Sequence, residues 1–211
     1  MSGHAGRLIA LEGIDGCGKS TQARILADRT GALLTHEPGA TALGRQLRRM
    51  VLLGAAPVPR AEALLMAADR AQHVTEVLRP ALGGGRWVVT DRFSASTLAY
   101  QGYGQGLPAA VLAGLVDWAA DGLIPDLTVL VDVPLSLARG RLSGSHDRLE
   151  RMDDGFFGRV RAGYRRLADE DPGRWVVVDG SAPVDEVAGA VAGAVRERLG
   201  EAPPAGDAVG R

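Results

Sequence analysis

Lysine is almost missing from this chain. Of its 24 basic residues Lys19 is the only lysine, and every other positive charge is arginine. Cysteine is as scarce: Cys17 stands alone, which excludes an internal disulfide and any cysteine-rich metal site. The four histidines, His4, His36, His73 and His146, lie far apart with no metal-ligand spacing. There is no basic excess either. A formal net charge of −1 removes the electrostatic case for a nucleic-acid partner. No apolar run approaches the roughly 18 residues of a membrane span, and the opening residues MSGHAGR lack the apolar stretch of a signal peptide. These absences describe a cytoplasmic protein that works on neither nucleic acid nor membrane.

What is present is ordinary globular material. The chain has 211 residues, 46% apolar and 23% charged, enough for one domain with a substantial core. Five short apolar runs end in a polar or turn residue: LIALEG (8–13), ALLTHE (32–37), RWVVTD (86–91), LTVLVD (127–132) and RWVVVD (174–179). Helix-like stretches separate them, among them a long one over 60–82. Continuously apolar strands alternating with helices indicate a parallel sheet buried on both faces, an α/β fold with helices on either side. Ligands of such sheets bind at the carboxyl ends of the strands, where Glu37, Asp91, Asp132 and Asp179 stand. Asp132 and Asp179 read more simply as strand-end or turn acids. Residues 201–211, EAPPAGDAVGR, lack periodicity and read as a disordered tail. No linker or repeat divides residues 1–211, so the expectation is a single domain with its core over about 7–200.

The retained lysine has a chemical reason. Gly13, Ile14, Asp15, Gly16, Cys17, Gly18, Lys19 and Ser20 fit G-x-x-x-x-G-K-[ST], leave a strand and open a helix that continues with Thr21. In such a phosphate-binding loop, glycines let successive backbone N–H groups point at phosphate oxygens, and the helix N-terminus adds partial positive charge. Lysine supplies a compact point charge where a planar guanidinium is too bulky. The Ser20 hydroxyl is a ligand for Mg²⁺. A nucleoside triphosphate and magnesium follow. Without a second lysine the chain has no N-K-x-D guanine motif, and no L-S-G-G-Q-like stretch is present. A small phosphotransferase remains.

Three further stretches narrow the class. THEPGATALGRQLRRMV follows the second strand, TDRFSASTLAYQGYGQG the third, and PDLTVLVDV forms the fourth. With the loop, they resemble in order and interval the bacterial thymidylate kinases, P-loop nucleoside monophosphate kinases that phosphorylate dTMP to dTDP. That family's motifs are R-E-P-G-G-T and D-R-[YFH]-x-x-S-[ST]-x-A-Y-Q-G. The resemblance implies a five-stranded parallel sheet in a three-layer architecture, ATP and Mg²⁺ as donor and cofactor, and a homodimer joined through helices such as 60–82. It implies Asp91 and Ser20 near magnesium, and Lys19, Arg92 and a lid arginine on the phosphates. The lid candidate is ARGRLSGSHDRLER (138–151), with Arg148 in its D-R-L-E match and Arg139 and Arg141 before it. Arg48 would reach the acceptor, Glu37 and Pro38 would shape its pocket, and Asp15 would lie near it. Arg70, Thr97 and Gln101 would read the base, with Tyr100 between the last two.

Four positions depart from the family pattern, and all four are expected around the acceptor pocket. Met66 stands for the phenylalanine that stacks on thymine, Ala95 for an acid, His36 for the arginine before E-P, and Ala40 for a glycine. Two alternatives stay open on that account: a kinase for a modified or other pyrimidine nucleotide, and an ATP-binding regulator without turnover.

Overall fold

The computed structural model describes residues 6–54, 56–142, 148–149 and 151–202. His4, the lid residues 143–147 (with Gly144 and His146) and 150, and most of the tail (203–211) lie outside the described residues.

The five apolar runs form five strands: β1 (Leu8–Glu12), β2 (Leu33–His36), β3 (Val88–Asp91), β4 (Leu127–Asp132) and β5 (Trp175–Asp179). They pair in the order β2-β3-β1-β4-β5, all parallel, so the strand that feeds the phosphate loop is central. Every residue of β1 is buried. The edge strands are not buried on both faces as the sequence suggested: Leu34 of β2 is 42% and Val177 of β5 47% exposed. An edge strand lacks a neighbour on one side, so the covering helices do not reach across it fully.

Side chains of β1 alternate between two cores. Ile9 and Leu11 join Ala23, Leu26 and Ala27 of α1 (Lys19–Thr30) and Val187, Val191 and Val195 of α9 (Val184–Leu199). Leu8 and Ala10 join Val74, Leu78 and Phe93 on the other face. A parallel sheet covered on both sides follows from this period of two. The long helical pattern at 60–82 is realised as α3 (Pro59–His73), a π-helical turn (Val74–Leu78) and α4 (Arg79–Gly83). After β3, α5 (Ser94–Thr97) runs into a second π-helical stretch, Leu98–Gly104. Between these, α2 (Ala42–Leu52) is capped by the Thr41 hydroxyl, which accepts from the Gly44 amide. α6 (Ala109–Ala120) and α7 (Leu135–Arg141) follow β3 and β4.

α8 (Asp154–Glu170) begins at Asp153, whose carboxylate accepts from the Phe156 amide at 2.6 Å. It turns Phe156, Phe157, Val160 and Tyr164 inward, and Tyr100 meets Tyr164 edge-on at 6.3 Å. Gly104 lets the second π-helical stretch lie directly on α8: a Cβ there would meet the Phe156 ring at 2.6 Å. Among the described residues no helix is long and apolar enough to cross a membrane.

Candidate active site

Sequence places Gly13 to Gly18 between β1 and α1, and backbone geometry makes that stretch a cradle. Gly13 and Gly16 take φ of 145° and 83°. A Cβ on Gly13 would meet the Val131 carbonyl at 2.6 Å, and one on Gly16 would run into the Ala138 carbonyl, so only glycine fits. Ile14 and Cys17 are buried beneath the loop, and Ser20 and Thr21 at the start of α1 are exposed. Burial raises the Cys17 thiol above its ordinary value, against the opposing charge of Lys19. It stays a neutral, packed side chain. The cleft over the loop is closed by Gly180, Ser181, Ala182 and Pro183 after β5, and by Arg141, which donates to the Gly180 carbonyl at 2.9 Å.

The end of β3 supplies the opposing wall. Arg92 has φ 72°, left-handed backbone that a non-glycine residue adopts at a cost of about 1–2 kcal/mol. Its surroundings hold it there: the Arg92 amide donates to Leu11 at 2.9 Å, Thr90 Oγ1 donates to the Arg92 carbonyl at 2.8 Å, and the Phe93 amide donates to Glu12 at 2.8 Å. The guanidinium then reaches Asp15 at 2.6 Å, the Tyr100 hydroxyl at 2.9 Å, and Ser96 and the Tyr164 hydroxyl at 3.0 Å. Lys19 lies 3.4 Å from the same Asp15 carboxylate. Burial alone would raise Asp15, but Arg92 and Lys19, aided by the Tyr100 hydrogen bond, outweigh it and hold the carboxyl far below the usual range. Burial pushes the Tyr100 and Tyr164 phenols well up, so both act as neutral hydroxyls. Two cations thus meet one ionised acid at the junction of two clefts.

The second cleft lies on the far side of Asp15 and Arg92 from the phosphate loop. It brings together all ten residues that the motif register implied: Asp15, Glu37, Pro38, Arg48, Met66, Arg70, Arg92, Thr97, Tyr100 and Gln101. Leu52, Phe93, Ser96 and Leu149 complete its lining. Arg70 is buried and fixed from three sides, donating to Glu37 at 3.0 Å, Thr97 Oγ1 at 3.1 Å and the Phe93 carbonyl at 3.1 Å. The other Glu37 oxygen meets His73 Nδ1 at 2.9 Å, and His73 Nε2 meets Thr35 Oγ1 at 2.8 Å, so this histidine is structural. Asp69 accepts from the Gly39 amide at 3.0 Å; burial, then repulsion from Glu37, raises its carboxyl to about 6. Arg48 donates to the Pro38 carbonyl at 2.9 Å and leans over the mouth.

Several sequence expectations are corrected. Arg148 does not stand over the phosphate loop. It donates to the Val51 carbonyl at 3.0 Å and pairs with Glu62, because that fully buried carboxylate needs a countercharge. Of the four departures from the family pattern, Met66 lines this second cleft and His36 the adjoining cleft toward the phosphate loop, where burial and then Arg48 lower its pKa. Ala95 faces a separate cavity behind the β3 tip, since α5 turns it away from the second cleft. Ala40 lines neither cleft. Asp132 takes two hydrogen bonds from Arg161, at 2.7 and 2.8 Å, and Asp179 accepts from the Ser181 amide at 2.8 Å: both are the strand-end acids the sequence suggested.

Four residues that sequence reasoning missed complete the site. Glu12 is fully buried at the end of β1 and accepts from the Phe93 amide, Ser96 Oγ at 2.7 Å and Tyr164 at 2.8 Å. Burial raises its pKa, against the Arg92 charge and these hydrogen bonds. Ser96 and Tyr164 link it to Arg92. Glu62 collects the side chains of Gln101, Gln105 and Arg148.

Asp91 tests whether a divalent cation fits. Its Oδ1 is buried and has no hydrogen-bond partner among the described residues, in the cleft that Lys19 and Ser20 also line. An orphaned carboxylate oxygen with a serine hydroxyl is a hard-oxygen donor set. Among the described residues there is no group of three or more metal-ligating side chains. That suits Mg²⁺, which takes one or two protein oxygens and completes its shell with water and phosphate. The residues fit the ion.

Comparison with known proteins agrees with this geometry. The family model described as thymidylate kinase matches residues 11–191. The thymidylate kinase of Prochlorococcus marinus (strain MIT 9313) is 46% identical over 211 residues, covering 93% of this chain and 96% of its own. That of Leifsonia xyli subsp. xyli is 49% identical over 192 residues, covering 87% and 91%. The solved thymidylate kinase of Ehrlichia chaffeensis superposes with a TM-score of 0.78 at 31% identity, over 91% of this chain and 99% of that one. A family model spanning residues 11–191, together with relatives 46% and 49% identical over most of the chain, shows that the chain belongs to the thymidylate kinase family.

Proposed function

We propose that the protein, as a single P-loop kinase domain, transfers the γ-phosphoryl group of ATP to dTMP, giving dTDP and ADP. The observation that carries this reading is the meeting of two clefts at Asp15 and Arg92, one over the phosphate loop and one lined by every implied acceptor residue. The nucleophile is a phosphate oxygen that is already ionised, so no general base is required. Alignment and neutralisation of charge suffice. The loop amides and Lys19 hold the triphosphate, and Arg92 faces it from the acceptor side. Ser20 and Asp91 would hold Mg²⁺. When bound, the ion neutralises charge on the phosphates. Arg70, Thr97 and Gln101 orient the base, with Met66 packing against it. Arg148 serves the base side of the pocket, and Arg141 is the arginine at the rim of the loop.

Two copies of the chain are proposed to associate through α3 and α6. These neighbouring helices expose Leu64 (60%), Val111 (67%) and Trp118 (79%), and Val111 and Trp118 share one face of α6. The test of function is ADP release from ATP and Mg²⁺ with dTMP, dUMP, dCMP and AMP in parallel. A kcat/KM for dTMP at least about tenfold above the others is expected. Preference for another acceptor, or no turnover while ATP binds, overturns the reading.

A further inference from the structure

Glu62 reaches no substrate-facing surface, yet it is fully buried and engaged from three sides. Its Oε1 accepts from Gln101 Nε2 at 2.7 Å and Gln105 Nε2 at 2.9 Å, and its Oε2 pairs with Arg148. Of these residues Gln101 lines the acceptor pocket and Glu62 does not. We propose that Glu62 is a positioning residue that sets base specificity by fixing which end of the Gln101 amide faces the acceptor. This rests on the dTMP kinase reading and deepens it.

A carboxylate only accepts hydrogen bonds, whereas a primary amide presents two donors at one end and an acceptor at the other. With Arg148 beside it Glu62 is an anion, and bonds to charged acceptors are about twice as strong as neutral ones. It therefore commands the Nε2 end of Gln101. The strength of that command shows at Gln105, which keeps its Nε2 on Glu62 although its own Oε1 is buried and unpartnered among the described residues. The Oε1 of Gln101 has no partner among the described residues and is the acceptor left for the pocket. Beside it, Thr97 Oγ1 accepts from Arg70, which frees the threonine hydroxyl to donate. An acceptor next to a donor matches a pyrimidine whose ring nitrogen carries a proton and whose neighbouring carbon carries a carbonyl, as in thymine and uracil. It opposes cytosine, whose ring nitrogen and exocyclic amine reverse the pattern. Freed from the anion, Gln101 would flip at little cost and present its amine instead.

Glu62→Gln keeps the shape and removes the charge. The expected result is a preference for dTMP over dCMP in kcat/KM that falls at least about tenfold, through KM for the pyrimidine nucleotides with KM for ATP unchanged. Glu62→Asp, which keeps an acceptor-only group, is expected to restore the preference even where stability drops. If Glu62→Gln does not fold, Glu62→Asn against Glu62→Asp asks the same question with a shorter side chain. An undiminished preference in the folded amide variant, with only a lower melting temperature, makes Glu62 merely structural and overturns the proposal. Wild-type protein that does not turn over dTMP overturns the functional reading instead, so the two failures are distinguishable.

Discussion

Tyr164→Phe removes one oxygen from the centre of the site and nothing else. The ring stays buried against Tyr100, and no cavity larger than a hydroxyl opens. Three contacts disappear: the bond donated to Glu12 Oε2 at 2.8 Å, the hydroxyl–hydroxyl contact with Ser96 Oγ at 2.8 Å and the bond accepted from Arg92 at 3.0 Å. Glu12 is the sensitive partner, because a fully buried carboxylate then loses one of its three donors. Bonds of this kind contribute about 1.5–3 kcal/mol each. For a domain of this length, losing the Glu12 bond alone lowers the melting temperature by roughly 3–12 °C. Arg92 keeps Asp15, Tyr100 and Ser96, so kcat is expected to fall only about three- to tenfold.

The effect has a direction in pH. A carboxyl whose pKa is raised by folding contributes stability below its unfolded value, near 4.5 for Glu12, and loses it as pH climbs through the folded value. Losing a donor to the anion raises the folded value further, so the penalty of Tyr164→Phe is expected to grow from pH 5 to pH 8. Thermal melts across that range, paired with steady-state kinetics, make the check. An unchanged melting temperature at pH 8 together with wild-type kcat would refute the network described here.

Asp69→Asn acts in the opposite sense. The Asp69 carboxyl is raised from 3.8 to about 6, so ionising it costs stability between about pH 4 and 6, by roughly 1–3 kcal/mol. The asparagine can still accept from Gly39 and is expected to be the more stable form at pH 7.5, with no difference at pH 4; chemical denaturation at the two pH values decides. For the subunit contact, Trp118→Glu is expected to give monomers by sedimentation with the fold intact, and persistence of a dimer would relocate the interface.

The strands and the phosphate loop were legible because their signals are local. Five apolar runs at regular intervals admit few arrangements, and Gly13 to Ser20 must fold much as they do to be any use at all. What escaped is long-range. Glu12 looks like another strand-end acid until folding sets it against Tyr164, 152 residues on. Arg148 reads as a phosphate-binding arginine because nothing in its neighbourhood reveals Glu62, 86 residues earlier, as its partner. The ion pair is decided by burial, which a linear pattern does not encode. Ala95 was misplaced for a related reason: motif register orders residues along the chain, while the turn of α5 decides which way each points.

The tip of β3 shapes how this enzyme can change. Asp91 looks to the phosphate cleft, Arg92 to the junction, and the Phe93 backbone is tied by its amide to Glu12 and by its carbonyl to Arg70. Arg92 and Phe93 are thereby anchored to three partners on different elements, Asp15, Glu12 and Arg70, and neither can drift without dragging the other. On the facing wall, Leu52 of α2 and Met66 of α3 present apolar side chains that make no hydrogen bonds among the described residues. Substrate range is therefore most open to design on the helical wall: enlarging the pocket for a bulkier base begins at Leu52 and Met66, while the strand tip is held in place by its partners.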